Sequence, residues 1–196
     1  TLGEHVAAER LADEAISLSD RHNLTLVRMA IVYTIWRDSG RQDDLARLEQ
    51  QMRDLVDSNP LLIAAFALVH AEAGRIDDAH RLLGELESLE PFPRNWVWLA
   101  TMAAGLETAA SIGERRMIER YAPLLEPFAD HWAIAAAEAG CWGPVARVLG
   151  IAAAATGDTT TARAHLLHAR DTSLANDASF WTARCHAGLA DLDASA

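Results

Sequence analysis

Apolar residues recur at fixed distances after five glycines. Five positions beyond Gly3, Gly40, Gly74, Gly113 and Gly157 stand Ala8, Leu45, Ala79, Ile118 and Ala162. Nine and twelve positions beyond them come Ala12 and Ala15, Leu83 and Leu86, Ala122 and Leu125, and Leu166 and Ala169. Offsets of this kind fall on one face of an α-helix. Glu49 interrupts the pattern in the unit after Gly40, and the neighbouring Leu48 is the expected substitute. Upstream of the glycines a second face repeats: Val32 and Tyr33, Phe66 and Ala67, Gly105 and Leu106, Leu149 and Gly150. Each unit thus predicts a helix that ends at a glycine, a short polar turn, and a second helix. Glycine tolerates the left-handed conformation that closes a helix. Asp77 and Asp158 are placed to cap the following helices.

The repeat is visible directly. "GRQDDL" at 40–45 returns as "GRIDDA" at 74–79, 34 residues later. That period is the tetratricopeptide value. The predicted helices run about 4–20, 24–39 and 42–57, 60–73 and 77–89, 95–112 and 114–126, 143–156 and 159–174, then 177–192. The fold class expected is all-α: a tetratricopeptide-like right-handed superhelix of antiparallel helix pairs. It forms one domain over 1–196, with a truncated first unit at 1–20 and pairs at about 24–57, 60–90 and 95–126. An irregular insert covers 127–142, and the last pair with a closing helix covers 143–192. The first residue is Thr1, and the chain begins halfway through a unit, so a fragment of a larger protein is expected.

Composition agrees with helix. Alanine is abundant, and hydrophobic residues make up 51 % of the chain, enough for a sizeable core. The formal charge of −11 opposes contact with phosphate backbones and anionic membranes, so neither nucleic acid nor membrane is an expected partner. All 17 basic residues are arginine, which removes every lysine-dependent chemistry. Cys141 and Cys185 read as reduced core thiols, and a cytoplasmic location is expected. Asn23-Leu24-Thr25 reads as helix-start chemistry. The six tryptophans, at 36, 96, 98, 132, 142 and 181, read as core anchors rather than an aromatic cage.

The last third carries a more specific likeness. "GPVARVLGIAAAATGDTTTARAHLLHAR" and "SFWTARCHAGLADL" (143–170 and 179–192) resemble the C-terminal helical region of large actinobacterial transcriptional regulators. The matching residues are Gly143, Val145-Ala146, Leu149-Gly150, Gly157, Ala162, His165, Ala169, Trp181 and Ala183-Arg184. Those regulators carry an ATPase module before the repeats. Some add an N-terminal cyclase-like or transcriptional-activator domain, others a C-terminal LuxR-type helix-turn-helix. The resemblance implies a protein–protein interaction or intramolecular regulatory module within a signalling ATPase. It also implies that the first helix of each pair lines a concave face. That groove would present Thr34, Arg37, Asp38, Leu68, Glu72, Glu107 and Arg147 to a protein or peptide, another domain of the same chain included.

An acidic or phosphorylated element is the expected partner of Arg37 and Arg147. The alternative function is a small-molecule sensor pocket closed by 127–142. Catalysis is not expected: Glu72 and Glu107 have no evident nucleophile or oxyanion donors beside them. His165 and His168 lie one helical turn apart but lack a third ligand, so no metal or other cofactor is expected.

Overall fold

Gly40, Gly74, Gly113 and Gly157 all take a positive φ, between 73° and 89°. At every one of these turns the next residue donates its backbone N–H five residues back: Arg41 to Trp36, Arg75 to His70, Glu114 to Ala109, Asp158 to Ala153, at 2.8–3.0 Å. This bond satisfies a helix-end carbonyl, and it needs the left-handed residue that glycine supplies.

The computed structural model describes residues 31–37, 39–51, 59–91, 93–135 and 140–195, with helical conformation also at 7, 10, 11 and 14. The domain is mostly helical, with a small two-strand hairpin. Helices α1 (31–37) and α2 (Gln42–Gln51) flank the Gly40 turn. Helices α3 (Pro60–Glu72) and α4 (Ile76–Ser88) flank Gly74, and α5 (Trp98–Ile112) and α6 (Arg115–Leu125) flank Gly113. After a 3₁₀ turn at Glu126–Phe128 come strands β1 (Trp132–Ala135) and β2 (Gly140–Pro144). Helices α7 (Val145–Thr156) and α8 (Thr159–Ala175) flank Gly157, and α9 (Ser179–Ala194) closes the described chain. Where both can be compared, the expected helix bounds agree to within a few residues. The expected helix at 4–20 lies mostly outside the described residues.

The two helices of a pair differ in burial. In α3 every residue from Ile63 to His70 is buried, and in α5 every residue from Ala100 to Ala109. In α4 and α8 only a stripe is buried: Ala79, Leu82, Leu83 and Leu86, and Ala162, Leu166, Ala169 and Ser173. A helix apolar all round sits inside, and an amphipathic one covers it. Helix α3 packs on α5 and α5 on α7, so the first helices of successive pairs form the centre.

The capping expectation is half right. Asp158 accepts the Thr161 N–H at 3.0 Å and caps α8. Asp77 does not cap α4. That helix starts one residue earlier, after Arg75, which makes no side-chain cap. Asp77 and Asp78 instead sit in the first turn, where their charge suits the positive helix end. Glu49 is buried because it has a partner. Its Oε2 lies 2.6 Å from Nε2 of His70, also buried, while Arg75 Nε donates to His70 Nδ1 at 2.9 Å. The pair makes a charged residue tolerable at a core position. Leu48 is buried beside it.

The insert at 127–142 departs from the all-α expectation. Strands β1 and β2 pair antiparallel, with Ala133 opposite Gly143 and Ile134 opposite Cys141. Trp142 is therefore the extra residue of a bulge, a device that re-aims a side chain. The hairpin packs on α5 and α7. Trp142, Trp98 and Trp181 are core anchors, but Trp96 is 69 % exposed and corrects the expectation for that residue. Its turn before α5 carries it off the packed face.

Gly150 stands where α7 meets α8. A Cβ there would come within 2.7 Å of Leu166 Cγ and 3.1 Å of the Ala162 carbonyl. Gly150→Leu should overpack this contact and cost about 1–3 kcal/mol. A lower urea midpoint checks it, and an unchanged midpoint refutes the tight contact. Among the described residues no helix is long and apolar enough to cross a membrane.

Candidate functional site

Four residues named for the groove are brought together by four different helices. Arg37 of α1 forks onto Glu72 at the end of α3, with Nε and Nη2 donating at 3.0 and 2.7 Å to Oε1. The same Nη2 donates to Glu107 Oε1 on α5 at 3.1 Å. From the other side Arg147 of α7 donates through Nη2 to Glu107 Oε2 at 2.6 Å. Bidentate and charge-assisted bonds of this kind are the strong ones.

The network is internal. Arg37 is 5 % exposed and Arg147 3 %, while Glu107 is equally buried. Only Glu72 reaches the edge, with 22 % of its side chain accessible. Leu68 is fully buried in α3, so it belongs to the core and not to a surface. Thr34 is half-buried on α1. Asp38 lies outside the described residues.

Burial by itself would push the Glu107 carboxyl up. Arg147 and Arg37 outweigh it and hold the group at about 2. A carboxylate this acidic neither stores nor accepts a proton at neutral pH. Burial opposes the charge on Arg37, but Glu107, Tyr33 and Glu72 overcome it and raise its pKa further. The two arginines are thereby neutralised within the fold, and an acidic partner would have to displace a carboxylate already in place.

Residues outside the expected groove complete the site. The Arg147 guanidinium lies 5.2 Å from the centre of the Trp181 ring, a cation–π distance. Its Nε is buried without an acceptor. Arg184, one turn along α9 from Trp181, has its pKa lowered by burial and then by the fields of Arg37 and Arg147. One turn before Arg37, Tyr33 donates its hydroxyl to the Ala65 carbonyl at 3.0 Å and stacks on Trp142, with centroids 5.5 Å apart. Burial drives the Tyr33 phenol well above its usual range. The four-residue spacing of Tyr33 and Arg37 puts both on one face and was readable; contact with Trp142 was not.

His165 and His168 do not converge. His165 faces Glu126 at 3.5 Å and His168 faces Asp130 at 2.8 Å. Both cysteines are free thiols, and burial raises the pKa of each. No protein-family model matches the chain, and a comparison with curated proteins returns no match.

Proposed function

We propose that this chain is a tetratricopeptide-like right-handed superhelix of antiparallel helix pairs. It serves as a protein–protein interaction or intramolecular regulatory arm of a larger transcriptional regulator or signalling ATPase. One observation carries the reading. The same left-handed glycine turn recurs at 40, 74, 113 and 157, and the first helices of successive pairs pack on one another. Stacked hairpins of this kind present extended faces that bind polypeptide. The −11 charge favours a protein or peptide over nucleic acid or an anionic membrane. The role needs no cofactor and no catalysis.

Since Arg37 and Arg147 are buried and paired, reversing them would unfold the arm before it tested binding. Hydrogen exchange is the better probe. The arm should gain protection along α1 and the α3 end near Glu72 when the rest of the full-length protein is present, compared with the isolated chain. Protection confined to α8, or none anywhere, would sink the reading.

A second reading is a small-molecule sensor. It is favoured by a cavity of about 170 Å³ lined by Trp142 together with Tyr33 and Phe66, so that the 127–142 insert closes part of its wall.

A further inference from the structure

We infer that a groove between α6 and α8 docks a basic amphipathic helix of a partner protein. The inference goes beyond the interaction reading, because none of the residues expected on the concave face lines this groove. Helices α6 and α8 both pack on α7, and the space left between them is about 430 Å³. Ile118 of α6 and Leu149, Ala152 and Ala153 of α7 give it an apolar floor. The two alanines leave depth there, which apolar side chains of a neighbour can fill. Glu119 and Pro123 on one edge and Asp158 and Thr161 on the other are exposed, so the groove is open to solvent. Small-molecule sites bury most of their ligand, and this open shape suits a polypeptide laid across it. From Arg115 to Glu126 the α6 edge spans about 16 Å, three helical turns at 1.5 Å per residue. A helix of that length presents apolar residues at i, i+4 and i+7, the pattern of helix-in-groove docking.

The edges select the charge of that helix. Glu119, Glu126 and Asp158 supply carboxylates, against the single guanidinium of Arg115. Arg115 is engaged already, donating to the Thr156 carbonyl at 3.3 Å and lying 3.6 Å from Glu119. His165, the other titratable group of the lining, faces Glu126 at 3.5 Å. The excess of carboxylates attracts arginine or lysine on the flanks of the apolar stripe and repels an acidic helix. The floor then supplies the apolar contact, and the edges set specificity and association rate.

The probe is a stapled peptide of three helical turns, with leucines at i, i+4 and i+7 and arginines on both flanks. Stapling holds a helix that would be marginal by itself in water. Fluorescence anisotropy of the labelled peptide with the intact chain, at low salt, reads binding, which should be saturable. Exchanging its arginines for glutamate, or scrambling its order, should abolish binding. Glu119→Arg with Glu126→Arg should weaken the probe about tenfold, the scale of two exposed ion pairs turned into repulsions. Asp171→Arg with Asp191→Arg makes the same change of charge outside the lining and should leave binding nearly unchanged. Ala153→Glu puts a charge into the floor and should abolish it. The inference is overturned by the absence of saturable binding, or by glutamate-flanked or scrambled peptide binding as tightly. Equal losses in the two double reversals, or binding that survives a folded Ala153→Glu, overturn it too. If Ala153→Glu does not fold, the double reversals decide, since all four positions are exposed. The interaction reading is tested at α1 and Glu72 and the groove at α6 and α8, so either can fail without the other.

Discussion

Glu107→Gln should cost about 3–5 kcal/mol, the scale for removing one partner of a buried ion pair. Glu107 is the shared carboxylate of Arg37 and Arg147, and all three are buried. Glutamine keeps the shape and an acceptor but removes the charge. Two guanidinium groups would then remain inside with only Glu72, at the rim of the network, to balance them. The urea midpoint should fall sharply.

The pH dependence gives an independent check. The folded carboxyl titrates at about 2, below its ordinary value of roughly 4.3 in an unfolded chain. A group depressed on folding contributes stability that is fully present above the unfolded value. That stability fades as pH falls from there through the folded value. The native protein should therefore lose stability between about pH 4.5 and 2 through this group, and Glu107→Gln should lose less over the same window. A variant with the native midpoint and the native acid slope would show that the network contributes nothing.

Gly143→Ala is the second large effect. Gly143 has φ +86°, and a Cβ built there would lie 2.5 Å from the Trp181 ring. The left-handed backbone costs an L-residue about 1–2 kcal/mol. The clash adds to it, because Trp181 is held between Gly143 and Arg147. A total of about 3 kcal/mol is expected. Gly157→Ala is the control. Its φ is +89°, yet nothing lies within 4 Å of the added carbon, so it should show the backbone cost alone. Similar midpoint losses in the two variants would disprove the close approach of Trp181 to β2.

Among the described residues, the sequence by itself determined the helices, their turns and their order. These depend on chemistry within a few residues. A glycine either can or cannot take the left-handed form, and an apolar stripe is helical wherever its period is 3.6. The charged network was partly readable too. Arg37, Glu72, Glu107 and Arg147 each stand on the helix before a turn glycine, three, two, six and ten residues ahead of it. The unequal offsets give no shared register, so only the fold shows that the four side chains meet.

Tertiary structure decided what these residues face. Charged side chains are solvated unless paired, and the partners here lie 35 to 70 residues away, beyond any local pattern. The hairpin was hidden for a similar reason. "WAIA" followed by an alanine-rich stretch has helical composition, and β-pairing depends on cross-strand neighbours and burial more than on intrinsic preference. Only when β1 and β2 pack on α5 and α7 do these residues become strands and Trp142 turn onto Tyr33. A helix is specified by contacts along one segment, whereas strand pairing and a buried ion network require surfaces that exist only after distant segments have met.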